Sequence, residues 1–186
     1  MSTTPFQVTV ARLVVPVGPD DHTTGPDSAP VSLVEYGDYQ CPYCGMAHAI
    51  LNDLLRLRRE TIRFTFRHFP LTNVHPYADL AAEVAEAAGA RDRFFEMHDW
   101  LYDHQRSINP RQLMVGVDQL GLPSEEIADE VGAHVYLDRV RRDFVGGVRS
   151  GVNGTPTFYI NGVRHDGGYG LDELLEAIDR ATETAR

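Results

Sequence analysis

Two cysteines, Cys41 and Cys44, stand three residues apart where an apolar strand pattern gives way to a helical one. Val31-Ser32-Leu33-Val34-Glu35-Tyr36 is short, apolar and bounded by Pro30 and Gly37, which reads as a buried strand. Beyond it, Met46, Ala47, Ile50, Leu51, Leu54 and Leu55 recur at helical spacing, so a helix is expected from near Cys41 to about Arg58. Ile62 to Arg67 alternates and predicts a second strand. Strand, helix and strand make a βαβ unit with both sulfurs at the helix entrance.

That placement has chemical consequences. Residues i and i+3 are neighbours on a helix, with Cα atoms about 5–6 Å apart, so a disulfide can open and close without moving the backbone. Pro42 suits the first helical position, where a missing N–H costs nothing. Cys41 faces unpaired N–H groups and the positive end of the macrodipole, which favour thiolate over thiol. A helix terminus contributes roughly 0.3–2 kcal/mol, against about 1.4 kcal/mol per pKa unit, so the dipole alone lowers the thiol by about one unit. Cys44, a turn further in, is expected to be the covered partner. Two sulfurs make neither a disulfide scaffold nor a four-ligand structural zinc site. Two inert buried cysteines are the plainer alternative, and a C-x-x-C at a strand–helix junction is more specific than that.

The remaining chain falls into segments. Phe6 to Val17 suits an outer strand, and Gly18 to Pro30 reads as a loop. Helices are expected over Ala78–Ala88, Phe94–Tyr102, after Asn109-Pro110-Arg111-Gln112, after Ser124-Glu125-Glu126, and over Tyr136–Val148. Thr157 to Ile160 reads as a strand, Asn161-Gly162 as a hairpin turn, Val163 to His165 as its return, and Leu171 to Ile178 as a closing helix.

Composition narrows the function. The 186 residues include 17 basic ones, all arginine, against 27 acidic ones, for a net charge of -10. Without lysine there is no Walker A loop, no Schiff base and no lysine general base. The acidic balance argues against nucleic acid or an anionic membrane as partner. No apolar run approaches the ~20 residues that span a bilayer. The first residues lack the basic and apolar regions of a secretory signal, so the expected localisation is cytoplasmic, although a mature chain stripped of its signal would read the same.

Val34-Glu35-Tyr36-Gly37-Asp38-Tyr39-Gln40-Cys41-Pro42-Tyr43-Cys44, with Gly154-Thr155-Pro156-Thr157-Phe158 downstream, resembles the DsbA family of thioredoxin-fold oxidoreductases. It is most similar to the branch that occurs as soluble proteins and as a domain appended to some sodium/proton antiporters. The resemblance runs from about Asp21, through Arg67-His68-Phe69-Pro70-Leu71 and Val74-His75-Pro76, to Leu175. It implies an α/β thioredoxin-like fold, a central mixed sheet flanked by helices, with a large helical insertion. The expected division is an N-terminal strand and loop over 1–30, a thioredoxin-like domain over 31–71 and 150–186, and an inserted helical subdomain over 72–149.

The resemblance also implies roles. Cys41 is the nucleophile and Cys44 the resolving thiol. Pro156 matches the family's cis-proline, with Thr155 before it, although a Thr-Pro bond taken alone is more often trans. Glu35 matches the buried carboxylate beneath the pair and would exchange a proton with Cys44; a glutamate at a strand edge is the alternative. Pro42, Tyr43, Thr155 and Pro156 are the expected substrate-binding residues, under a helical block that shapes the groove. Tyr43 stands where the family's periplasmic oxidant carries histidine. Pro-Tyr between cysteines is also the glutaredoxin dipeptide, at about -200 to -230 mV, so an intermediate potential is expected, suited to reduction or isomerisation.

The expected activity is protein thiol–disulfide exchange, with a disulfide-bearing protein and a redox partner (a reductase, an oxidase or glutathione) and no cofactor. Glutathione-linked glutaredoxin-like or transferase-like activity, and a non-enzymatic redox-sensing module, are the rivals. No metal site is expected. His98 and His104 are six apart and outside any H-E-x-x-H pattern, His68 ends a strand, and His75 belongs to a loop. Phe94, Phe95, Trp100 and Tyr102 are expected to fill the core rather than line a groove, and Gly146-Gly147 to mark a kink or a close helix contact.

Overall fold

The computed structural model describes residues 11–184. Among these residues five strands form one mixed sheet: β1 (His22–Thr24), β2 (Val31–Gly37), β3 (Ile62–His68), β4 (Thr157–Ile160) and β5 (Val163–His165), in the order β1-β3-β2-β4-β5. β2 pairs parallel with β3 and antiparallel with β4, while β1 and β5 close the two edges in antiparallel pairs. Helix α1 (Pro42–Leu57) makes the crossover from β2 to β3. Helices α2 (Ala78–Gly89), α3 (Phe94–Asp103), α4 (Pro110–Gln119), α5 (Ser124–Gly132) and α6 (Leu137–Ser150) follow between β3 and β4, and α7 (Leu171–Thr184) closes the fold. This is the thioredoxin-like architecture.

Helices cover both faces of the sheet, so the central strands are buried on both. Period-2 alternation assigns their side chains. Leu33, Phe64, Phe66, Phe158 and Ile160 join the core shared with α1, α3 and α7. Val34, Tyr36 and Tyr159 point the other way and pack with Phe69, Val152 and Phe144. Glu35 shares the first face with Leu33 and is therefore directed at α1.

Four readings are corrected or sharpened. Gly18 to Pro30 is not all loop, because His22–Thr24 pairs with Phe66–Phe64 as β1. Its polar sequence gives no strand pattern; pairing with the edge of β3 makes it one. The outer strand expected over Phe6–Val17 lies, up to Val10, outside the described residues. From residue 11 onward only an isolated bridge forms, Arg12 with Val163, flanked by bonds from Leu13 N–H to Gly162 O and from Arg164 N–H to Ala11 O. At α4 the cap is the Asn109 side chain, which accepts from Gln112 N–H at 3.1 Å. Gly147 proves to be a close contact, since a Cβ there would lie 2.8 Å from Phe69.

Candidate functional site

Cys41 is the N-cap of α1, in extended backbone, and Pro42 opens the helix. Its Sγ lies 3.3 Å from Thr155 O, so the loop before β4 closes over the sulfur. The Thr155–Pro156 bond is cis. Cys44, one turn in, is fully buried; Cys41 keeps 4% of its surface exposed, and neither cysteine is in a disulfide. Tyr43, between them, is 59% exposed.

The two thiols titrate in opposite directions. A hydrogen bond from Cys44 is the largest influence on Cys41; with help from Thr155 and the N–H groups of Cys44 and Tyr43, it outweighs burial and brings the thiol down to about 5. The helix terminus is thus only part of the effect, and side-chain donors supply the rest. Burial, then the bond to Cys41 and the nearby Glu35, push Cys44 well above its ordinary value. The Thr155 hydroxyl is buried and meets no hydrogen-bond partner among the described residues, which leaves it free to turn to the sulfur.

Glu35 is 1% exposed, and its Oε1 meets no donor among the described residues. Burial, followed by the charge of Cys41, raises its carboxyl to about 8. It sits in mid-strand between Phe66 on β3 and Phe158 on β4, not at an edge.

The helical segment reaches the site through residues that sequence reasoning missed. Gln105, in a single helical turn after α3, donates its amide to Tyr39 O at 2.9 Å and to Cys41 O at 2.8 Å. It fits because position 45 is glycine: a Cβ there would lie 2.5 Å from the Gln105 Oε1. Asp38 builds the turn from below, accepting from Gln40 N–H, Leu71 N–H and His75 Nδ1 at 2.7–2.8 Å. Tyr102 is buried as expected, yet its hydroxyl also finds no partner. That hydroxyl occupies the space a side chain at Gly37 would fill, on the strand face that carries Glu35. Asp38 carried a sequence signal, as a carboxylate three residues before Cys41, and Tyr102 one as an aromatic expected in the core; Gln105 carried none.

Beside the cysteines a groove of about 650 Å³ runs between α1 and the segment after α3, lined by Pro42, Gly45, Met46, Tyr102, His104 and Gln105. Met46, half exposed, and Tyr43 give its approach an apolar rim. Of the expected site residues, Cys41, Cys44, Glu35, Pro42, Tyr43 and Thr155 converge here, with Pro156 adjoining through its cis bond. Among the described residues no helix is long and apolar enough to cross a membrane.

The family model described as Thioredoxin matches residues 18–180. The chain is 47% identical over 173 residues to Na(+)/H(+) antiporter NhaA 1 of Salinispora arenicola, covering 92% of this chain and 26% of that protein. It is 37% identical over 170 residues to Na(+)/H(+) antiporter NhaA 1 of Mycobacterium sp. (strain KMS), covering 90% and 28%. It thus spans about a quarter of the length of these curated relatives. Among solved structures, oxidised BdbD from Bacillus subtilis superposes with a TM-score of 0.85 at 22% identity, covering 94% of this chain and 100% of that one. A thioredoxin-like oxidoreductase from Silicibacter pomeroyi superposes at 0.77 with 25% identity, covering 89% and 94%.

Proposed function

Because the chain belongs to the thioredoxin family, we propose that it is a thiol–disulfide oxidoreductase that exchanges protein disulfides through Cys41-Pro42-Tyr43-Cys44. One observation carries this reading: two thiols a helical turn apart, one at the helix entrance under Thr155 and the other sealed beside an unpartnered carboxyl.

Cys41 thiolate attacks one sulfur of a substrate disulfide; an S–S bond forms to Cys41 and the other substrate sulfur leaves as a thiolate. The charge on Cys41 is then gone. The smaller of the two holds on the Glu35 proton goes with it, which eases release of that proton to the departing thiolate through solvent, while burial remains. The carboxylate next accepts the proton of Cys44. Cys44 thiolate attacks the Cys41 sulfur, forms the internal disulfide and releases the second substrate thiolate. A redox partner returns two electrons to the pair, or the steps run backwards to oxidise a dithiol.

Pro42, Tyr43, Thr155 and Pro156, with the apolar rim at Met46, present the surface on which an extended disulfide-bearing segment docks. No bound cofactor enters these steps. The ion transport named for the antiporter relatives is not assigned to this chain, whose likeness covers only a quarter of them.

Alkylation against pH tests the assignment. Cys44→Ser, whose hydroxyl can still donate to the sulfur, should expose a reactive thiol with a midpoint well below 9, whereas Cys41→Ser should leave a thiol that reacts only above its ordinary value of 9. Equal midpoints would remove the distinction between nucleophile and resolver. Cys44→Ser should also accumulate a mixed disulfide with its protein substrate, and a chain that oxidises once without turnover is a sensor instead.

A further inference from the structure

Behind the cysteine pair, where α1 meets α3, three donor side chains meet that the exchange reaction does not use. His48 Nε2 lies 3.5 Å from Asp99 Oδ1, and His98 completes the group, with one donor atom of each within 4.8 Å of the others. We infer that His48, His98 and Asp99 bind a divalent transition metal of the zinc class.

Tetrahedral zinc with bonds of about 2.0–2.2 Å places its donors roughly 3.3 Å apart. The His48–Asp99 separation already matches. The other donor separations, all within 4.8 Å, shorten on binding, and Asp99, whose side chain is 57% exposed, is the freest of the three to move. Two imidazoles and one carboxylate form a three-ligand set with an open fourth position, and imidazole favours zinc over calcium or magnesium.

The surroundings support the donors. Tyr39 Oη lies 3.1 Å from His98 Nδ1, deep in the core, and engages that nitrogen so that Nε2 remains as the ligand atom. Asn52 Nδ2 lies 3.1 Å from His48 Nε2 and is the contact that an ion on that nitrogen displaces. Asp103, one turn beyond Asp99 on α3, adds negative charge on the same side. A cavity of about 170 Å³, lined by Thr24, Asn52, Phe64 and the three donors, leaves room for water on the ion. The one comparable group among the described residues, His68, Glu86 and Asp143, lies against Arg139, which pairs with Asp143 and approaches Glu86 to 4.0 Å. Its cation is already in place.

An ion held by these three ties α1, which carries both cysteines, to α3 of the helical segment. His48 also stacks on Tyr102 with ring centroids 4.8 Å apart, so the clamp abuts the redox pair.

The test uses cobalt(II) as a visible stand-in for zinc, added to the untagged full chain with Cys41 and Cys44 both replaced by serine, so that thiolates cannot bind it. The expected result is one cobalt per chain with tetrahedral d–d bands, displaced by zinc, and a melting temperature raised by zinc and restored by a chelator. In that background Asp99→Asn and His48→Asn should each weaken binding roughly 100-fold or more, and Tyr39→Phe about 10–100-fold. No one-to-one tetrahedral spectrum, or the same affinity in both ligand variants, overturns the proposal. If His48→Asn does not fold, Asp99→Asn decides, because that side chain lies largely in solvent.

Discussion

Glu35 on β2 and Glu86 on α2 are both almost fully withdrawn from solvent, at 1% and 6% exposure, yet they hold their protons very differently. Glu35 faces the cysteines without a donor for Oε1, and its carboxyl is raised to about 8. Glu86 lies where α2 and α6 meet the sheet edge. Burial alone would raise it too, but bonds at 2.9 Å from His22 Nε2 and His68 Nε2 outweigh that and hold it well below the carboxylate range. Burial fixes how costly a bare charge is; the partners decide whether one is kept. Beneath the cysteines the partners are missing and the proton can move. At the sheet edge they are complete, and the carboxylate is part of the framework.

The contrast predicts first a pair of opposed pH slopes in the reduced protein. Glu35 is raised from 4.5 to about 8, so its contribution is fully present below pH 4.5 and lost as pH rises through 8, about 5 kcal/mol in all. Cys41 is lowered from 9 to about 5, so its contribution is present above pH 9 and lost as pH falls through 5, again about 5 kcal/mol. In the native sequence the two nearly cancel between pH 5 and 8. Urea midpoints of Glu35→Gln should climb with pH across that window, by up to about 1.4 kcal/mol per unit, and those of Cys41→Ser should fall. Parallel curves would break the comparison at its centre.

A somewhat smaller effect tests the other side. Glu86→Gln leaves His22, His68 and Arg139 facing a neutral group and should cost about 3–5 kcal/mol at neutral pH by urea unfolding. The native contribution is present above pH 4.5 and lost as pH falls toward the depressed pKa. The Cys41 alkylation midpoint should not move; if it does, the two regions are not independent. Gln105→Ala, which removes two bonds to the cysteine turn, should cost about 1–3 kcal/mol. The smallest change is expected from Tyr102→Phe. Deleting a buried hydroxyl without a partner should leave stability level or slightly higher, and a loss above about 1 kcal/mol would mean that the phenol is bonded after all.

What could be read in advance follows the range over which the cause acts. The strand–helix–strand unit around Cys41 and Cys44 is local, and its periodicities and proline announce it. Asn161-Gly162 announced its hairpin equally well, and both residues adopt positive φ, at 49° and 75°. Glu35 was marked only through the resemblance, because nothing in its neighbours says that a mid-strand carboxyl will go unpartnered. Gln105 carried no signal, and Tyr102 was expected in the core rather than in the groove it also lines: both matter because α3 and the turn after it come to lie over a strand more than sixty residues away. β1 was hidden for a related reason, since three polar residues become a strand only beside β3.

The bridge from Arg12 to Val163 bears on how the molecule behaves among its copies. An uncovered sheet edge is a template on which another chain can add a strand. Leu13 N–H and the carbonyl of Ala11 are spent on the turn and strand at that edge, so residues 11–13 act as a built-in seal. With residues 11–13 replaced by glycines the chain would keep its cysteines and its groove and lose only the packing of Leu13 from the core, yet offer β5 to its neighbours. Its failure would show in light scattering, as slow self-association that grows with concentration, while thiol chemistry in the remaining monomer went on unchanged.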